Sequence, residues 1–245
     1  MTVIGYPLGA LLGLVIGSVI WVLADKQIRG ALQDRQVVCL SCGERKSWRG
    51  WLPLSWLSDA SLCSHCGYTD AAGRRRWEIA IAAYGVAGWA FSSAEEVVPL
   101  LVASAPLLLI LNVDLKVQAV FLPDCYVAVV LGIFLGLIDS TSQAAGAAIG
   151  MGLAMVMTAL FLVITRWIFR SLGVRTTPMG ITDIYVAAAV GAIVRFDGLL
   201  PALVVAVTGA ALCGTIMPIA RPGSRTRLAA FGPFLCLGGL VALLL

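Results

Sequence analysis

The sequence predicts an all-α polytopic membrane protein of about eight spanning helices, with one small extramembrane domain between the first two. Three observations carry this. Of 245 residues, 60% are hydrophobic and 12% charged, whereas ordinary soluble domains carry about 45–50% and about 25%. The apolar residues are gathered into runs long enough to be read as spans, which take about 20 residues each. The basic residues, finally, fall almost entirely on alternate sides of those runs. A soluble enzyme, a disordered chain and a disulfide-stapled secreted module are all disfavoured by the same figures.

The runs lie at 4–23, 79–94, 97–113, 119–138, 142–165, 181–194, 198–218 and 229–245. The first is read as a retained helix rather than a cleaved signal, because Lys26 and Arg29 follow it and no basic segment precedes it. Cytoplasmic loops collect Lys and Arg. With the N-terminus outside, segments 24–78, 114–118, 166–180 and 219–228 face inward and hold 16 of the 17 basic residues; only Arg195 is left outside. Eight passes return the C-terminus outside as well. Asp139 and the pair Glu95–Glu96 fall in outer turns. The net charge of +4 is thus a membrane-orientation signal, so lipid is the expected surroundings and nucleic acid is not an expected partner. The spacings Gly132-xxx-Gly136 and Gly146-xxx-Gly150 suit close helix packing, within the protein or between copies.

The chain accordingly divides into a first transmembrane helix (1–23), a cytoplasmic domain (24–77) and a transmembrane domain (78–245). Within 24–77 stand Cys39-Leu-Ser-Cys42 and Cys63-Ser-His65-Cys66, two CxxC turns separated by 20 residues. Two such turns place four thiolates for a tetrahedral zinc ion, the pattern of a zinc ribbon. Thiols stay reduced in the cytoplasm, which favours Cys39, Cys42, Cys63 and Cys66 as zinc ligands over two disulfides. A domain this small buries little core, and the metal would supply much of its folding free energy. His65, the only histidine, is expected to pack beside the knuckle. Cys125, Cys213 and Cys236 lie in spans as small apolar residues.

Ionisable groups at membrane depth are costly and usually functional. Asp114 ends the third run and Asp183 opens the sixth, and the charge-derived topology brings both to the cytoplasmic face. Two neighbouring carboxylates share a proton, one anionic and one neutral. That arrangement suits an aspartic peptidase, in which the anion activates water and the acid protonates the carbonyl oxygen. Helix capping is the simpler role for each. Asp124, after Pro123 at the start of the fourth run, is read as structural or accessory. Glu78 opens the second run, as a dipole partner or as a polar group facing the site.

Taken together these pieces resemble the bacterial type IV prepilin peptidases, membrane aspartic peptidases of the GxGD class, over nearly the whole chain. Gly17-Ser18 resembles the family's N-terminal Gly-Ser motif, and Leu52-Pro53-Leu54-Ser55 its Pro-Leu-x-Ser segment between the cysteine pairs. Arg74-Arg75-Arg76-Trp77-Glu78 resembles its Arg-to-Glu segment. Asp114 with Leu122-Pro123-Asp124 resembles the first catalytic motif, and Met179-Gly180-Ile181-Thr182-Asp183 the second, with Gly180 as an accessory residue. Phe231-Gly232-Pro233-Phe234-Leu235 resembles the terminal Phe-Gly-Pro motif. Eight residues, rather than the family's six, separate Asp114 from Pro123, and Thr182 replaces the second glycine of the second motif.

The resemblance implies a peptidase of the bacterial cytoplasmic membrane. It would remove basic leaders from prepilins or pilin-like proteins of a type IV pilus or type II secretion system. Asp114 and Asp183 would be its dyad. It also implies that an S-adenosylmethionine-dependent N-methylation of the new N-terminus can accompany cleavage. A non-catalytic assembly scaffold and a proton-coupled transporter are the competing readings.

One zinc ion per chain is expected by elemental analysis of protein purified without chelator, with Cys42→Ser lowering the content. Unchanged zinc in that variant contradicts the four-thiolate site.

Overall fold

The computed structural model describes residues 5–31, 65–66, 71–91, 96–171, 179–220 and 231–245. Among them the secondary structure is wholly helical: α1 (Gly5–Ala31), α2 (Ala71–Phe91), α3 (Val97–Val117), α4 (Leu122–Asp139), α5 (Thr141–Ser171), α6 (Thr182–Ala220) and α7 (Gly232–Ala242). Five of them, α1, α3, α4, α5 and α6, are long and apolar enough to cross a membrane.

The side-chain distribution is that of a protein in lipid. On α4, Val127, Val130, Phe134 and Leu137 are exposed while Ala128, Gly132 and Gly136 are buried. On α5, Ile149, Val156, Leu160 and Val163 face out, whereas Ala147, Gly150 and Ala154 face in. A soluble helix does the reverse. Large apolar side chains outside and small ones at the helix contacts describe a multi-pass membrane protein.

The chain forms two compact units, Met1–Ala105 and Pro106–Leu245. The division falls inside α3 at Pro106, where the missing N–H removes one helical hydrogen bond. In the first unit α1 and α2 run antiparallel. A Cβ on Gly85 would overlap the carbonyl oxygen of Gly9, and one on Gly13 would lie 2.5 Å from that of Ile81. The indole of Trp77 donates to the carbonyl of Gly17 at 3.2 Å. α1 continues beyond its apolar run to Ala31, since Lys26 and Arg29 are good helix formers. α2 is less apolar because its first turns carry Arg74-Arg75-Arg76 and Glu78.

In the second unit α6 is a hairpin rather than one rod, which separates the sixth and seventh apolar runs. Arg195 has φ 62° and ψ −174°, a region almost reserved for glycine that costs a larger residue of order 1–3 kcal/mol. The limb before Arg195 runs parallel to α7, with Asp183 beside Gly232 and Val190 beside Gly239. The limb after it runs antiparallel, with Gly198 against Ala242, Ala202 against Gly238 and Gly209 against Phe234. The first limb, 182–194, rises about 20 Å and α7 about 16 Å, both short of a bilayer core of about 30 Å. Both are short where the sequence predicts full spans.

The glycine spacings seen in the sequence serve contacts inside the chain. Gly132 abuts the backbone of Ala192, Gly136 that of Ala144, and Gly150 that of Gly191 and Arg195.

These contacts separate two alanine substitutions. A Cβ at Gly238 would overlap the carbonyl oxygen of Ala202 and sit 3.2 Å from the amide of Ala206, all backbone atoms, whereas one at Gly152 meets nothing within 4 Å. Gly238→Ala should destabilise, because overpacking costs about 1–3 kcal/mol against a helix-propensity gain of about 1 kcal/mol. Gly152→Ala should be neutral or stabilising. Thermal unfolding in detergent checks the pair, and equal midpoints for the two variants contradict the packing.

Candidate active site

Two aspartates meet at one end of the second unit, and local sequence explains each placement. α3 carries Asp114 in its last turn and ends where Gln118 turns left-handed at φ 52°, its amide still bonded to the carbonyl of Asp114 at 2.8 Å. α6 begins at Thr182 and carries Asp183 in its first turn. Both are buried, at 3% and 5% exposure.

Gly232, the first residue of α7, lies between them. A Cβ there would overlap Oδ2 of Asp114 and stand 3.3 Å from Oδ1 of Asp183. The two carboxyl groups therefore converge on a single Cα, a juxtaposition that residues 69 positions apart acquire only through the fold.

Asp183 is held by two peptide groups. Its Oδ2 accepts the N–H of Gly180 at 2.8 Å, which ties the segment just before α6 back onto its first turn. It also accepts the N–H of Gly232. Pro233 follows without a donor, so the amides at the start of α7 that lack a helical acceptor are partly met by Asp183 and partly absent. Asp183 thus links the start of α6 to the start of α7.

Two helix N-termini offset part of the cost of a buried anion here. α6 and α7 both begin at the pair, and the partial positive charge at helix N-termini stabilises anions nearby. Cys236 of α7 is completely buried within electrostatic reach of Asp114, Asp183 and Cys125. Asp124 lies in the first turn of α4, buried at 7% exposure, its amide bonded to the carbonyl of Phe121 at 3.1 Å. Aromatic pairs flank this end: Tyr126 and Tyr185 meet edge-on at 6.4 Å, and Phe161 and Phe231 at 5.8 Å.

The remaining predicted residues fall elsewhere. Glu78 belongs to the first unit, fully buried. Its Oε1 accepts from Ser18 Oγ at 3.0 Å and from Arg74 Nε at 2.7 Å. The Gly-Ser segment of α1 and the Arg-to-Glu segment of α2 therefore form one polar cross-link. Cys39, Cys42 and Cys63 lie outside the described residues. Cys66 and His65 form an exposed turn.

The sequence offered Gly232 only as part of a motif and gave no sign that both carboxylates press on it. A Gly-Pro pair opening an apolar helix was the available signal for a close approach at that position.

Comparison with protein-family models, curated proteins and solved structures gave no match.

The Gly232 contact has a measurable signature. Gly232→Ala should destabilise by about 1–3 kcal/mol. In an Asp114→Ala background the overlapping oxygen is gone and the penalty should shrink, a coupling of at least about 0.5 kcal/mol. Strictly additive unfolding free energies in the double mutant would show that the two groups do not touch.

Proposed function

We propose that this protein is a membrane aspartic endopeptidase of the prepilin-peptidase type. The single observation that carries the reading is the convergence of Asp114 and Asp183 on Gly232, which joins three of the segments that resemble family motifs. In this reading one carboxylate is anionic and takes a proton from water. The water oxygen attacks the scissile carbonyl while the protonated partner donates to the carbonyl oxygen. The first aspartate then gives the proton it took from water to the nitrogen, the partner takes a proton back from the hydroxyl, and the C–N bond breaks to release the amine. Burial excludes bulk water from the pair and strengthens its electrostatics.

The substrates are prepilins or pilin-like proteins cut between a basic leader and an apolar helix. Their basic leaders are drawn toward an anionic site. In this reading the chain makes eight passes through a bacterial cytoplasmic membrane, two of them the short segments 182–194 and α7, with both termini outside and the aspartates at the inner face. Residues 24–77 carry a zinc ion on Cys39, Cys42, Cys63 and Cys66. N-methylation of the new terminus with S-adenosylmethionine is an added activity that rests on the resemblance alone.

Purified protein mixed with a prepilin-like substrate should release a leader detectable by mass. Asp114→Asn and Asp183→Asn keep shape but remove proton exchange, and each should lower cleavage by roughly 10²–10⁴-fold. Asp124→Asn should retain most activity. Normal cleavage by both Asp114→Asn and Asp183→Asn would sink the aspartic mechanism. An inactive wild type in cells that process pilins normally favours the scaffold reading.

A further inference from the structure

At the end of the second unit away from the aspartates, the guanidinium of Arg195 closes a second polar cluster. Nη1 donates to Oε1 of Gln143 at 3.0 Å, and Nη2 donates to Oδ2 of Asp139 in an ion pair. Both partners belong to the corner between α4 and α5, which is itself stiff. Only Ser140 separates the two helices. Its amide bonds to the carbonyl of Gly136 at 2.9 Å, and its Oγ accepts the amide of Gln143 at 3.2 Å. The backbone of Arg195 is seated on the small-residue face of α5, 2.8 Å from where a Cβ of Gly150 would stand.

Two features need a common cause. Arg195 is the one basic residue that the charge-derived topology leaves outside, and Asp139 answers its charge there. Arg195 also occupies a backbone region that glycine adopts far more easily. A glycine would relieve the turn but bring no guanidinium. The side chain is therefore what the position supplies.

The rigid limb 182–194 has Asp183 at one end and Arg195 at the other. We propose that the Arg195–Asp139–Gln143 clamp is a positioning device that fixes the lengthwise register of this limb against α4 and α5, and thereby sets Asp183 against Asp114. The proposal rests on the peptidase reading for its catalytic consequence but not for the register itself. Arg195 does not touch the reacting groups; it acts through the helix. The pair is partly solvent-exposed, at 25% and 53% for the two side chains, so its loss should alter alignment more than global stability.

The test uses the full chain and two readouts. Tyr126 of α4 and Tyr185 of α6 touch near the aspartate end, so Tyr126→Cys with Tyr185→Cys, in a chain whose seven native cysteines are replaced by serine or alanine, reports register through bridging by dibromobimane, with each single tyrosine-to-cysteine variant as background. In this reporter, Arg195→Gly and Asp139→Asn should drop bridging to that background. With the native tyrosines, the same two variants should lower kcat for leader cleavage by about 10²-fold, the effect of a displacement near 1 Å, with KM and thermal midpoint little changed. Arg195→Lys, which keeps the charge but not the fork, should fall between. Asp139→Asn leaves the α6 backbone untouched and carries the test alone if Arg195→Gly does not fold. Unchanged bridging overturns the proposal, as does lost bridging with wild-type kcat. A wild type that bridges, loses bridging in both variants and never cleaves leaves the clamp standing and removes the peptidase reading.

Discussion

Lipid tails are as apolar as leucine, so helices in a bilayer gain little by burying large side chains against one another. What holds them is close approach, and close approach requires that one side have almost no side chain. The second unit is organised around that constraint. Gly132, Gly150, Gly191 and Gly238 each admit a neighbouring backbone so near that a methyl group would collide with it. The contact at Gly232 obeys the same rule with a different partner: the space left by its missing Cβ is filled by carboxylate oxygens of Asp114 and Asp183. The helix packing and the candidate chemistry are thus two uses of one device.

Charge is handled with equal economy. An isolated ion in a low-dielectric medium is expensive, and three of the charged groups are tied down. Glu78 accepts from Arg74 and Ser18. Asp183 accepts from two peptide amides. Arg195 is answered by Asp139 and Gln143. Removing one partner of such a group strands the other, which makes each of these contacts a stricter constraint than an equal area of apolar contact.

Much of this architecture was legible in the sequence. The excess of apolar residues over charged ones fixes the class, because no other solvent tolerates that composition. Asp114 and Asp183 stand out in the sequence because carboxylates are rare beside apolar runs, and the Lys and Arg partition alone predicts one face for both. Arg195 stood out for the opposite reason, as the exception to that partition. Its pairing with Asp139 explains the exception, and no periodicity or propensity announces a bond between residues 56 positions apart.

Composition and run length, then, determined by themselves that the chain is a helical membrane protein and which few ionisable groups lie within or beside its apolar runs. They do so because hydropathy is a local property summed along the chain. The tertiary structure alone decided that α6 reverses at Arg195, that Ser18 meets Glu78, and that two aspartates share the Cα of Gly232. Each of these depends on which helix faces change places at a distance of a few ångströms. That choice is made by the steric fit of small residues on helices far apart in sequence.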